Sequence, residues 1–417
     1  MKTCIDTSKE YGLVLEGGGA KGAFQIGAWK ALIQAGVKIT AIAGTSVGGL
    51  NGALIASGSV EEAESIWENM TYSKVMDVDD EEADAFLNGR MGYRERVNMV
   101  LEVIRNRGLD VGPLKELIAK KVKFDRIRAF PGPLCVVSFN VGKGQEVIDL
   151  RTCTNEEIRD YLLATSYLPL FRMQKTREQL MIDGGVADNV PVDVLLKKGY
   201  KDIIVIRLHG IGVVKPIRIP KNVNMITIAP EVDLGGILDF TKESAVRNMA
   251  IGYCSAMRVL YGLPGKIYFL QDSEESELDI LNRLVSLADC DDTEREKGLK
   301  ELLRIRSSRY RAWLEQKLPE FARDLSLKLE WSYRELWIAM LEEAAEWAGI
   351  DRFVIYAEKQ LADLIAQKDI PEKAPEHTKI LMRWLHEWKE KNHKEENQKE
   401  EAQKEENQKE ENQDEQV

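Results

Sequence analysis

Ser46 is the residue of this chain whose surroundings best suit a nucleophile. It sits in Gly44-Thr45-Ser46-Val47-Gly48, a GxSxG pentapeptide, between the strand pattern Lys38 to Ala43 and the small helix-compatible residues Val47 to Ala56. A serine on a tight strand-to-helix turn exposes its Oγ, and the flanking Gly44 and Gly48 leave room for strained backbone and for substrate. The pentapeptide alone is equally compatible with a glycine-rich turn that happens to contain serine.

A second glycine cluster gives that serine a chemical partner. Gly17-Gly18-Gly19-Ala20-Lys21-Gly22 follows the strand Leu13-Val14-Leu15 and precedes the helical Ala23 to Gln34. Acyl transfer needs donors for the charge that develops on the carbonyl oxygen, and a glycine loop at a helix N-terminus offers unpaired backbone N–H groups. Gly17, Gly18, Gly19 and Gly22 form the candidate oxyanion hole, with Gly18 and Gly19 as its leading donors. Lys21 is open to two readings, a contact for a lipid phosphate or a solvated side chain without a role. The same loop satisfies GxGxxG, the dinucleotide fingerprint, which also wants an acid at the end of the next strand. No Asp or Glu occurs between Glu16 and Glu61. The nucleotide-binding oxidoreductase reading therefore lacks its second half.

The serine needs a base, and the chain has four histidines: His209, His377, His386 and His393. Only His209 is near the glycine motifs in sequence, and a Ser46, Asp183, His209 order would satisfy the α/β-hydrolase arrangement. The better base is Asp183 itself, in Ile182-Asp183-Gly184-Gly185, where an apolar run ends in a carboxylate followed by two glycines. The plain alternative for DGG is a turn that hydrogen-bonds to itself.

These motifs must be held by elements, and the hydrophobic pattern supplies them. Short β-branched runs at Gly12 to Leu15, Lys38 to Ala43, Leu134 to Phe139, Leu180 to Asp183, Ile203 to Leu208 and Met225 to Ile228 alternate with helical stretches. The alternation predicts an α/β domain with a mainly parallel sheet. A long insert between the second and third runs, with the acidic Asp77 to Asp84 and helical pattern around Arg94 to Arg105, is either a cap over the site or a plain surface insertion. From about Glu274 glycines thin out and apolar residues recur at helical spacing, as in Trp337, Met340, Leu341, Ala344 and Ala348. Six of the eight tryptophans lie in this stretch, and aromatics at such spacing are read as core. The organisation expected is an N-terminal segment 1–10, a catalytic domain 11–270, a helical region 271–392 and a charged tail 393–417 built on KEENQ repeats, which holds almost nothing to bury.

Composition excludes several function classes. The chain has 417 residues, 44% hydrophobic and 30% charged, with a net charge of −11. The last 24 residues contribute four Lys and ten Asp or Glu, a net of −6, so the body carries −5. Neither part offers the basic field that non-specific nucleic-acid binding needs. Five scattered cysteines without a CxxC pair predict neither a disulfide framework nor a zinc site. The start, MKTCIDTSKE, lacks the apolar core of a secretory signal, and no run approaches the roughly 20 apolar residues of a spanning helix. A cytoplasmic location, at most peripheral to a membrane, is the expectation.

GGGAKG, GTSVGG and DGG in this order and spacing resemble the three signatures of the patatin-like phospholipases. Ala164-Thr165-Ser166-Tyr167-Leu168-Pro169 with Phe171, Asn189 with Pro191, and Pro230, Gly235, Leu238-Asp239-Phe240 and Gly252-Tyr253 add to the resemblance, which covers residues 11 to 265. It implies a three-layer α/β/α patatin-like sandwich followed by an α-helical C-terminal region. It also implies a Ser/Asp dyad without histidine, with Ser46 as nucleophile, Asp183 as general base and the Gly17 to Gly22 loop as oxyanion hole. Gly44, Gly48, Gly184 and Gly185 support the two turns, and no cofactor or metal is called for. The implied substrate is a lipid ester at a membrane surface, within a family that cleaves phospholipids, lysophospholipids, galactolipids and neutral glycerides. A non-enzymatic scaffold acting through the helical region is the remaining alternative, and oligomeric state is left open.

Overall fold

The computed structural model describes residues 2–92, 94–95, 99, 103, 105, 108–167, 171, 175–176, 179–290 and 310–390. Most of the helical pattern around Arg94 to Arg105, Leu168 and Pro169 of the fourth motif, His393 and the KEENQ tail lie outside the described residues. The chain divides into two compact units, Met1–Gly262 and Leu263–Val417.

The first unit is built on eight strands: β1 (Glu10–Leu15), β2 (Lys38–Thr45), β3 (Leu134–Asn140), β4 (Gly144–Asp149), β5 (Lys175–Thr176), β6 (Gln179–Asp183), β7 (Asp202–Ile206) and β8 (Asn224–Ile228). Their order is β5-β6-β3-β2-β1-β7-β8, with β4 paired to β3 off this path. The run from β3 to β8 is parallel, whereas β4 and β6 meet β3 antiparallel. Strands β1, β2 and β7 are continuous apolar runs because both faces are covered. Val14, Ala43, Val137 and Val205 share one face with Leu195 of the helix Val192–Lys197. The other face presents Ile42, Leu134 and Val136 to the helix α2 (Val47–Ser57). Sheet and flanking helices make a three-layer α/β/α arrangement, the architecture that the sequence resemblance implies.

Two expectations shift in detail. β7 stops at Ile206, two residues short of the apolar run, because the backbone amides that follow turn toward the Glu16 carboxylate. β4 escapes the apolar pattern because it is an exposed edge strand with no fully buried side chain.

The second unit is mainly helical: Glu277–Ser286, Leu318–Asp324, Tyr333–Trp347, Glu358–Ile365 and a helical stretch over 376–390. A two-residue parallel pair, β9 (Phe269–Leu270) with β10 (Ile355–Tyr356), joins them. The heptad-like spacing seen in sequence buries Trp337, Met340, Leu341 and Ala344, and Trp313 joins the same core. Trp347, at the end of the same helix, is 41% exposed. Among the described residues no helix is long and apolar enough to cross a membrane.

Candidate active site

Strand register brings Ser46 and Asp183 together. β4 occupies one edge of β3 along almost its whole length, so the other edge is shared. Thr45 of β2 pairs with Val137, and Asp183 of β6 pairs with Ser138, the next residue along. The residue that leaves β2 and the residue that ends β6 are thereby delivered to the same point above β3. Gly184 makes this approach possible, since a Cβ there would stand 2.2 Å from the Val137 carbonyl oxygen.

Ser46 itself has φ 55° and ψ −129°, outside the regions a serine ordinarily adopts. The strain is held by its backbone: Ser46 N donates to Thr165 Oγ1 at 3.0 Å, and its carbonyl accepts from Gly49 N at 2.8 Å and Leu50 N at 3.2 Å. Gly44 and Gly48 tighten the turn, because a Cβ on Gly44 would meet Gly48 O at 2.3 Å and one on Gly48 would meet Leu15 O at the same distance. Thr165 was legible only as part of a motif. Its task, buttressing the elbow through Val137 O on one side and Ser46 N on the other, needs the tertiary structure.

Asp183 is 5% exposed. Its Oδ1 accepts from Gly185 N at 2.7 Å, so the self-bonded DGG turn and the candidate base are one and the same group. Oδ2 is buried without a hydrogen-bond partner of ordinary geometry among the described residues. Burial pushes the carboxyl up to about 6, an effect that the Ser46 hydroxyl and the Gly185 amide partly offset. A carboxylate so placed is a better proton acceptor than a solvated one and is still ionised at neutral pH.

The glycine loop faces the same cavity, of about 760 Å³, lined by Gly17, Gly18, Gly19, Ser46, Asp183 and Gly185, with Val186, Asn189 and an apolar rim. The four glycines do different things. Gly17 N–H is already engaged with Asn189 O at 3.2 Å. Gly22 is not among the lining residues; it packs against Val47 and Trp67, and its carbonyl accepts from Asn51 Nδ2 at 2.9 Å. Gly18 and Gly19 keep amides for which the described residues supply no acceptor. Lys21 is mostly buried and lies 3.9 Å from Asp233 Oδ1.

His209 is exposed, lines a different hollow with Lys21 and Asp233, and makes no side-chain bond to Ser46 or Asp183. The structure therefore does not assemble the Ser46, Asp183, His209 triad. The acid that the dinucleotide fingerprint needs after β2 is likewise absent, because β2 runs straight into Thr45 and Ser46.

Described residues of the insert line the site. A second, apolar cleft shares Gly19 and Ser46 with the first and is walled by Leu50 and Leu54 of α2 and by insert residues Ile66, Met70, Val75, Leu114 and Ile118. A buried relay anchors the insert: Trp67 Nε1 donates to Asn51 Oδ1 at 3.0 Å, and Asn51 Nδ2 donates to Gln25 Oε1 at 2.9 Å.

Gly18→Ala isolates the oxyanion contribution better than any change at Gly19. Gly18 has φ 175°, and its added methyl would meet only the Leu208 side chain, at 2.9 Å from Cδ1 and 3.2 Å from Cβ, whereas Gly19 has φ 57° and a Cβ there would overlap Ile237 O at 2.1 Å. The methyl leaves the Gly18 N–H in place but, pressed against Leu208, shifts it, and the expected result is a fall in turnover of roughly 100-fold without loss of fold, the scale of misplacing such a donor by about 1 Å. Steady-state kinetics on a soluble ester, alongside circular dichroism, would check it, and unchanged turnover would remove Gly18 from the donor set.

Residues 13–196 match the family model for patatin-like phospholipase. A patatin-like phospholipase domain-containing protein of Caenorhabditis elegans is 25% identical over 211 residues, 48% of this chain and 14% of that protein. Lysophospholipase NTE1 of Cryptococcus neoformans is 26% identical over 217 residues, 50% of this chain and 12% of that protein. The chain thus matches only a small part of either relative's length. VipD from Legionella pneumophila aligns over 92% of this chain and 94% of its own, with 14% identity and a TM-score of 0.39.

Proposed function

With residues 13–196 matching the family model for patatin-like phospholipase, we propose that this protein is a lipid acyl hydrolase of the phospholipase A or lysophospholipase type, a serine hydrolase that cleaves carboxylic esters of membrane lipids. The observation that carries the reading is the meeting of Ser46, Asp183, Gly18 and Gly19 on the wall of one cavity. Asp183 takes the Ser46 proton as Oγ attacks the ester carbonyl, and the Gly18 and Gly19 amides receive the oxyanion. Collapse of the tetrahedral species returns the proton to the leaving alcohol. Water, deprotonated by the same carboxylate, then attacks the acyl-serine, and the proton passes to the departing Ser46 Oγ as the fatty acid is released. The apolar cleft beside Ser46 is suited to the acyl chain.

The mouth supports action at a lipid surface. Ile211 is 81% exposed and Val213 49%, yet both also line the Ser46 cavity, and Val214 beside them is 49% exposed. An acyl chain leaving a bilayer over this rim meets apolar surface all the way to the nucleophile. Val214→Asp should therefore lower the ratio of vesicle hydrolysis to soluble-ester hydrolysis several-fold, and an unchanged ratio would remove the rim from lipid contact. The reading as a whole is tested by fatty-acid release from vesicles of defined phospholipid, lysophospholipid or glyceride content. No release from any of them by folded, probe-reactive protein would rule out a lipid substrate.

A further inference from the structure

Among the described residues Glu16 is the one wholly buried carboxylate directly beside the glycine loop, and the proposed dyad chemistry has no use for it. Everything that reaches it donates. Glu16 Oε2 accepts from Arg207 Nε at 2.8 Å, Leu208 N at 2.6 Å and His209 N at 3.2 Å, while Oε1 accepts from Gly210 N at 3.3 Å and Asn189 Nδ2 at 3.4 Å. Three successive backbone amides around one anion form a nest, and the unusual φ of 49° at His209 is what lets them converge.

What this anion gathers is the back of the candidate oxyanion loop. Leu208 packs so closely on Gly18 that a Cβ there would lie 2.9 Å from Leu208 Cδ1, and one on Gly210 would lie 1.9 Å from Gly17 O. Asn189 closes the ring: its Nδ2 donates to Gly17 O at 3.1 Å as well as to Glu16, and its carbonyl holds Gly17 N–H. Asn189 is also fixed from the base side, since its N–H donates to Val213 O and Val213 N–H donates to Gly185 O. Glu16 therefore sits where the turn after β7, the glycine loop and the segment after Asp183 meet.

We propose that Glu16 is a positioning residue, an internal anion that fixes the Gly18 and Gly19 amides relative to Ser46 and Asp183. The assignment rests on the acyl-hydrolase reading of that site. An acceptor-only group is required, because five donors converge and a glutamine would turn an NH2 toward some of them. The displaced turn would carry Gly17 and Gly18 with it, and a shift of the order of 1 Å at an oxyanion donor lowers turnover roughly 100-fold.

The test is Glu16→Gln, with kcat measured per serine titrated by a fluorophosphonate and KM measured on the same soluble ester. The expected result is a roughly 100-fold fall in kcat per titrated serine with KM within about twofold, the pattern of a lost transition-state interaction. A purely structural carboxylate would lower the melting temperature and the titratable fraction, but leave kcat per serine at the wild-type value, and that outcome overturns the assignment. Should Glu16→Gln fail to fold, Arg207→Leu removes one donor from the half-exposed side and should give a smaller fall of the same kind; wild-type kcat per serine there overturns it equally. Ser46→Ala run in parallel keeps the two ideas apart. If that variant still hydrolyses ester, the reading of the Ser46 site has failed, whatever Glu16 does.

Discussion

Alanine at position 46 is expected to cut ester hydrolysis by roughly 10⁴- to 10⁶-fold, the range seen when a hydrolase loses its nucleophile but keeps its oxyanion donors. The fold should survive. Both residues carry a Cβ and tolerate φ 55° about equally, and the bonds that hold the elbow come from the Ser46 backbone: N to Thr165 Oγ1, and O from Gly49 and Leu50. Stability should therefore change by no more than about 1 kcal/mol. Covalent labelling by a fluorophosphonate should vanish together with hydrolysis. Persistent labelling with lost activity would move the nucleophile elsewhere, and persistent activity would remove Ser46 from the chemistry.

Asp183→Asn should produce two effects of opposite sign. Turnover should fall by roughly 10⁴-fold, because Asn keeps the bond from Gly185 N but cannot take a proton. Stability at neutral pH should rise. The folded carboxyl titrates at about 6 against an ordinary 3.8, so the folded state binds the proton more tightly than the unfolded one. The contribution of Asp183 to stability is thus fully present below about pH 3.8 and is lost as pH rises through about 6. A neutral Asn escapes that loss, worth on the order of 2 to 3 kcal/mol. The gain in melting temperature should be clear at pH 7 to 8 and fade as pH falls toward 4, as expected of a site where function is held against stability. The wild-type rate should mirror the same titration, rising with pH through about 6 and levelling above it. His209→Asn, which keeps a residue tolerant of positive φ, is the companion variant and should stay within a few-fold of wild type. If it fell as far as Asp183→Asn with the fold preserved, a histidine would belong in the mechanism after all.

The local features of this protein were already legible in its sequence, because they depend on neighbours a few residues apart. The apolar run before Glu16, the glycines that follow it and the small residues after Ser46 each dictate strand, turn or helix by periodicity and steric room, and α1 (Ala23–Gln34) and α2 begin where those patterns said they would. The helical spacing around Trp337 was as clear, since one buried stripe repeats every few residues. Pairing was not legible. Nothing near Asp183 in sequence says that β6 lies antiparallel on the edge of β3 that β2 vacates, yet that register brings the carboxylate to Ser46 and leaves His209 outside. Burial, which sets the Asp183 titration, is a property of all the elements packed around it. The division of labour among Gly17, Gly18, Gly19 and Gly22 was equally hidden, because it depends on the Gly17 amide being taken by Asn189 O and on Gly22 lying away from the cavity. Glu16 makes the contrast sharpest. In sequence it is an acid closing an apolar strand, and only the turn after β7, arriving from nearly two hundred residues away, turns it into the anion on which the glycine loop rests.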